Sequence, residues 1–235
     1  MDRETTTLVL LSYNEKGAVE QLLPMLPRAL FDAVLAIDGG STDGTLDVYA
    51  QHGLACLVQT VRGRGNAFRL AAERVDTDRV VFLSTDGNED AADLPLMLRY
   101  LDEGYDVVIG GRFLLPGAGS DDSDDPWRIR RLGNIGYSAI VRCCWRSGVR
   151  DAINGYRAFR TAALRRLHLD AERHEVELQS TIRAAKLGMR IKEFATRERP
   201  RLAGTRKASA GTLILGWTLG RCLLREMRIG RRFEP

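Results

Sequence analysis

Histidine and cysteine are scarce in this 235-residue chain, which has three of the first and four of the second. Cys56, Cys143, Cys144 and Cys222 form no Cys-x-x-Cys pair, and the adjacent Cys143 and Cys144 cannot easily bridge each other. With only His52, His168 and His174 to add, no Cys/His zinc cluster is visible, and a disulfide scaffold is excluded. Aromatic residues make up 7% of the chain, and no nucleic-acid-binding motif accompanies its arginines, which argues against a nucleic-acid partner. Long apolar runs are also missing. The longest, Thr212 to Leu224, is interrupted by Arg221 and falls short of the ~20 residues that a membrane span needs. The polar start, with Asp2 and Glu4, does not read as a secretory leader. These absences predict a cytoplasmic protein with reduced thiols.

What is present is a substantial apolar fraction, 44%, enough to offset the ordering entropy of one globular domain, or of one domain with a C-terminal extension. The net charge of +4 hides a division. Residues 1–125 hold 10 basic and 22 acidic side chains, whereas 126–235 hold 25 and 9. Of the 35 basic residues, 31 are arginine, whose planar fork binds phosphate oxygens in pairs.

Short runs rich in valine, isoleucine and leucine occur at Leu8–Leu11, Val34–Ile37, Val80–Leu83 and Val107–Ile109. Continuous rather than alternating apolarity predicts strands buried on both faces, as in parallel sheets flanked by helices. Helical spacing appears between them at Gly17–Leu30 (bent or shortened by Pro24 and Pro27), Thr45–His52, Gly65–Arg74 and Ala92–Leu101. Further helices are expected at Trp127–Ser147 and Glu175–Leu187, with a short extended piece at Gly155–Arg160 and a strand at Arg190–Ala195. The alternation predicts an open α/β sheet. Pro116 to Pro126, with four aspartates, reads as a loop between the acidic and basic halves.

Ligands of open parallel sheets bind beyond the carboxyl ends of the strands. Polar clusters follow each apolar run there: Ser12-Tyr13-Asn14-Glu15, Asp38 to Thr45, Ser84 to Asp90, and Gly110-Gly111-Arg112-Phe113. Taken in order, they resemble the motifs of family-2 glycosyltransferases of the GT-A fold, especially the dolichyl-phosphate mannosyltransferase-like branch. Tyr13-Asn14-Glu15 matches that family's opening Tyr-Asn-Glu. Asp38 to Thr45 resembles its Asp-Asp-Gly-Ser-Thr-Asp-Gly-Thr, with Gly39 in place of the second aspartate. Gly63-Arg64-Gly65-Asn66-Ala67 is similar to Gly-Lys-Gly-x-Ala, and Gly110 to Phe113 to Gly-Ser-Arg-Tyr. Asp151 to Arg157 resembles Asp-x-x-x-Gly-Phe-Arg, and Ala203 to Lys207 stands near Ala-Gly-x-Ser-Lys. The resemblance runs from Leu8 to Lys207.

The resemblance implies a GT-A domain over residues 1–207 and an inverting transfer of sugar from a nucleoside diphosphate sugar to polyprenyl phosphate. Tyr13, Asn14, Glu15 and Asp38 would then contact the nucleoside, and Gly65, Arg112, Arg131 and Lys207 the rest of the donor. Asp86, as the second aspartate of an Asp-x-Asp motif, and Asn88 would hold Mg²⁺ or Mn²⁺ against the leaving diphosphate. Asp86, Arg112 and Asp151 are the expected catalytic residues. Asp151 would position the acceptor or orient Arg157. The motif's first aspartate is replaced by Ser84, so metal affinity should fall unless Glu89 or Asp90 compensates.

A polyprenyl phosphate is already anionic and needs cations rather than a base; Arg150, Arg157, Arg160, Arg201, Arg206 and Lys207 are candidates. Residues 208–235, where Leu213, Trp217, Leu223 and Met227 alternate with arginines, read as a basic amphipathic segment suited to a membrane interface, or else as a core-packing or dimer-forming helix with a solvated tail. Two other readings stand beside this one. The first is transfer to a soluble acceptor, such as a sugar or a natural-product aglycone. The second is a non-catalytic nucleotide-binding scaffold, favoured by Ser84 and Gly39.

Overall fold

The computed structural model describes residues 3–114, 129–204, 212–230 and 233. The aspartate-rich loop Pro116–Pro126 and the predicted site residue Lys207 lie outside the described residues, as does Arg206.

The described residues form one seven-stranded sheet. Strands β1 (Thr6–Ser12), β2 (Ala33–Asp38), β3 (Ala55–Val58) and β4 (Arg79–Ser84) lie parallel in the order β3-β2-β1-β4. The sheet continues through β6 (Arg157–Arg160) to β5 (Val107–Gly111) and β7 (Ile191–Ala195). β6 runs antiparallel to both β4 and β5, while β5 and β7 are parallel to each other. The four apolar runs are thus strands, and the strand expected at Arg190–Ala195 is β7. β3 was not anticipated, and β6, expected only as an extended piece, divides β4 from β5.

Burial on both faces explains why the strands read as continuous apolar runs. Leu8 and Leu10 point into one core with Ala36, Val81, Leu83 and Val108, closed by helices α1 (Lys16–Leu22), α2 (Thr45–Gln51) and α4 (Leu94–Asp102). Val9, Ile37, Phe82 and Ile109 point the other way, toward α3 (Arg64–Arg74), α6 (Thr161–Arg166) and α7 (Glu175–Lys186). In that second core the Phe68 and Phe82 rings stack at 4.0 Å between centroids, with Phe159 edge-on to both. The predicted helix Gly17–Leu30 ends early: α1 stops at Leu22, and 3₁₀ turns at Leu23–Met25 and Arg28–Leu30 take over where Pro24 and Pro27 remove N–H donors.

Two longer helices finish the described fold, α5 (Ile129–Trp145) and α8 (Thr212–Arg228). α8 buries Leu219 and Leu223 in the second core and Glu226 against α7. Glu226 is fully buried and accepts from Arg183 Nε at 2.9 Å and Lys186 Nζ at 2.7 Å. Two α7 cations thus share one α8 carboxylate. No helix among the described residues is long and apolar enough to cross a membrane.

Candidate active site

The register of the sheet brings the predicted clusters to one edge. Ser12 pairs with Asp38 and Leu11 with Ser84, so the chain leaves β1, β2 and β4 side by side. Asp38 is fully buried, and its carboxylate is committed to shaping its own loop. Oδ1 accepts from Gly40 N at 2.8 Å and Ser41 N at 2.6 Å, and Oδ2 from the hydroxyls of Ser12 and Ser41. Asn14 ties the β1 loop to the same turn: Thr42 N donates to its Oδ1 at 2.8 Å, and its own N–H donates to Ser41 Oγ at 2.7 Å. Tyr13 lies beneath the Arg62 guanidinium, 4.1 Å from the ring centroid. A Cβ at Gly39 would stand 3.0 Å from Arg62 Cγ and 3.2 Å from Tyr13 Cδ2, so this pair fills the space a second aspartate would need.

Gly65, expected to contact the donor, lets the start of α3 pass the 171–172 backbone. Its N–H donates to Glu172 O at 3.0 Å, and a Cβ there would stand 1.9 Å from Ala171 O.

Beyond β4, a polar cleft is lined by Arg64, Ser84, Asp86, Asn88, Glu89, Arg112, Asn154, His174, Glu177 and Glu198, among others. Arg64, the first residue of α3, donates to Ser84 Oγ at 3.1 Å and ion-pairs with Glu177 of α7. Burial works against its charge, but Glu177, Glu89 and Asp86 outweigh that and hold it protonated. Burial pushes Glu89 up to about 7, against the pull of Arg64. Burial also lowers His174, which favours the neutral ring.

Arg112, just past β5, is clamped. Its Nε and Nη2 donate to Asp151 at 2.7 and 3.0 Å, and Nη1 donates to Glu198 at 3.0 Å. Asp151 is fully buried and orients Arg112 rather than Arg157. Arg157 is also fully buried, donating to Ala152 O, Asn154 O and the hydroxyls of Ser180 and Thr181; burial lowers its pKa to about 10. It offers no surface to a ligand. Arg131 on α5 shares the Phe113 ring with Arg112, at 5.8 and 5.4 Å from the centroid.

A strap that follows β7 crosses this cleft. Arg199 N donates to Asn88 O at 2.8 Å and Leu202 N to Asp86 O at 3.0 Å. Between them Arg201 bridges Asp86 Oδ2 at 2.9 Å and Glu15 Oε1 at 2.5 Å. The structure therefore places Asp86, Asn88 and Arg112 on one cleft, with Glu15 joined to Asp86 through Arg201 and Asp151 holding Arg112; Arg131 stands by Phe113, and Asp38, Asn14 and Gly65 hold the neighbouring loops. Arg64, His174, Glu177 and Glu198 also line the cleft, although none was a predicted site residue. The one available signal was the position of Arg64 inside the Gly-x-Gly turn.

This arrangement is that of a GT-A glycosyltransferase. In fold the chain is similar to glucosyl-3-phosphoglycerate synthase of Mycobacterium tuberculosis, solved with Mn²⁺, UDP and glucosyl-3-phosphoglycerate. That likeness has a TM-score of 0.74 at 20% identity, over 95% of this chain and 80% of that one. Residues 7–167 match the family profile of glycosyl transferase family 2, and the chain belongs to that family. It is 33% identical to the glycosyltransferase AglJ of Haloferax volcanii over 83% of this chain, but spans only 63% of that protein's length. An uncharacterized glycosyltransferase of M. tuberculosis is also 33% identical, over 89% of this chain and 92% of its own. A dolichyl-phosphate hexose transferase of H. volcanii is 27% identical over 93% and 94%.

Proposed function

We propose that this glycosyltransferase moves a sugar from a nucleoside diphosphate sugar to polyprenyl phosphate, with inversion at the sugar carbon. The observation that carries the reading is the gathering of Arg64, Arg112 and Arg201 about Asp86, which suits two phosphate-bearing substrates meeting at one place. The end-to-end match to a dolichyl-phosphate hexose transferase supports the same acceptor class. Glu15 faces the nucleoside from the mouth of the β1 loop, which Asn14 and Asp38 hold in shape. Arg112, kept in place by Asp151 and Glu198, and Arg131 beside it, stand toward the diphosphate.

A divalent cation, Mg²⁺ or Mn²⁺, fits the residues present. Asn88 Oδ1 is buried without a hydrogen-bond partner in the same cleft as Asp86, and both offer hard oxygen ligands. Among the described residues no group of three or more His, Cys, Asp or Glu side chains forms a complete cage, which suits a cation whose remaining ligands come from the donor's phosphates and water. Asp86 and Asn88 would hold it, and it would neutralise charge that develops on the leaving diphosphate.

In the transfer, an acceptor phosphate oxygen forms a bond to the anomeric carbon as the bond from that carbon to the diphosphate breaks. The electron pair leaves on the nucleoside diphosphate. The attacking oxygen carries no proton, so no base is required. The arginines hold the two anions together and offset their repulsion.

The test is transfer of radiolabelled sugar, with UDP-, GDP- and dTDP-sugars compared, followed by butanol extraction. Label entering butanol only when polyprenyl phosphate is supplied is the expected result. Label passing instead to a water-soluble acceptor overturns the lipid acceptor and leaves the transferase.

A further inference from the structure

β4 ends at Ser84, where the family motif carries its first aspartate, and the chain returns a carboxylate to that place from five residues downstream. Gly87, at φ +84°, reverses the chain, and Asn88 N donates to Asp86 Oδ1 at 3.2 Å inside the turn. The turn sends Glu89 back to the strand end. Ser84 N donates to Glu89 Oε2 at 2.6 Å, and Ser84 Oγ donates to Oε1 at 3.1 Å. The Glu89 side chain is 9% exposed and lines the cleft together with Asp86 and Asn88.

An independent observation points to a ligand here. Asn88 is 8% exposed, and its Oδ1 is buried without a hydrogen-bond partner in this cleft. A buried polar oxygen left unpaired is costly. A hard cation is the ligand class that takes an amide oxygen together with carboxylate oxygens. Arg64 Nη2 stands 3.8 Å from Glu89 Oε1, too far for a direct hydrogen bond, so the guanidinium steadies the carboxylate without capping it.

We infer that Glu89 is a ligand of the divalent cation, replacing the aspartate absent at position 84 and acting with Asp86 and Asn88. The assignment rests on the donor reading above and adds a residue that the motif does not contain. It explains how a family member can bear serine at that position and keep two carboxylates on the cation.

The experiment reads Mn²⁺ itself, by electron paramagnetic resonance of the free ion during titration of the intact protein, with no donor or acceptor present. The wild type should take up one Mn²⁺, and Glu89→Gln should weaken uptake by tenfold or more. Adding Ser84→Asp to Glu89→Gln should restore at least half of that loss, which no merely structural role for Glu89 would produce. Thermal melts identify any variant that has not folded; the double variant then decides. Equal uptake by wild type and Glu89→Gln, or no recovery in a folded double variant, overturns the assignment and leaves the sugar-transfer reading untouched. A wild type that binds no Mn²⁺ up to millimolar concentration overturns it too. Failure of the sugar-transfer reading shows separately, as absence of labelled product.

Discussion

Asp86 and Arg112 differ in what their removal would expose. Asp86 is held by Arg201 at 2.9 Å and by the Asn88 N–H at 3.2 Å. Asp86→Asn keeps the shape of the turn but removes the charge. It should lower transfer about a hundredfold or more and abolish its response to Mn²⁺. Initial rates across a Mn²⁺ series and in EDTA check this, and full turnover by the variant in EDTA would remove Asp86 from the cation site. Arg112 answers to a different partner. Asp151 is fully buried and pairs with Arg112 through two of its side-chain donors, so Arg112→Ala strands a carboxylate away from water. Breaking a buried pair in this way costs about 3–5 kcal/mol, and urea denaturation should show a loss of that order. Lysine at 112 cannot span Asp151 and Glu198 at once and should recover only part of it.

At the scale of elements, the far end of the sheet is stapled by one carboxylate. Glu4, just before β1, accepts from Arg79 at the start of β4 and from Arg160 at the end of β6. The hydrogen bond from Arg160 leads in holding the Glu4 carboxyl below its ordinary value, against burial and with help from Arg79. A folded-state pKa depressed in this way contributes stability that is present above about pH 4.5 and lost as pH falls through the folded value. Glu4→Gln should therefore lower stability most above pH 4.5, with the two proteins converging as pH falls below it, as thermal melts across a pH series would show. The strands this staple joins differ in how legible they were. β1, β2, β4 and β5 announce themselves as apolar runs because both their faces are buried. β3 is a half-exposed edge strand of four residues, Ala-Cys-Leu-Val, and carries too little pattern to be seen. β6 is antiparallel to both its neighbours, and its buried Arg157 donates to Ser180 and Thr181 on α7, contacts more than twenty residues apart in the chain. The site divides in the same manner. Residues that follow a strand, such as Glu15, Asp86 and Arg112, could be read from position. Glu177 and His174 reach the cleft only because α7 packs across α3, and Glu89 only because Gly87 reverses the chain.

For the whole molecule, the acidic and basic halves of the chain meet as ion pairs at the cleft. Arg201 from the basic half bridges Glu15 and Asp86 from the acidic one, while Arg64 and Arg112 cross the other way to Glu177 and Glu198. Arg157, Arg183 and Lys186 of the basic half are buried, and α8 carries part of the exposed remainder. Its inner side is fixed by Leu219, Leu223 and Glu226, while Trp217, Leu224 and Met227 are 68%, 56% and 45% exposed beside Arg221, Arg225 and Arg228. An exposed tryptophan and aliphatic side chains among arginines match an interfacial helix, whose attachment combines apolar burial with attraction to anionic headgroups. We therefore expect the protein to float with vesicles containing phosphatidylglycerol, less with pure phosphatidylcholine, and less again as salt rises. Trp217→Glu with Leu224→Glu should abolish flotation without altering the melting temperature by more than a few degrees, because neither side chain contributes to the core. The pair should also slow transfer to long-chain polyprenyl phosphate in vesicles while sparing a short-chain acceptor in solution. Flotation unchanged by the double substitution would exclude α8 as the docking face, and absence of wild-type flotation on anionic vesicles would exclude membrane attachment through it altogether.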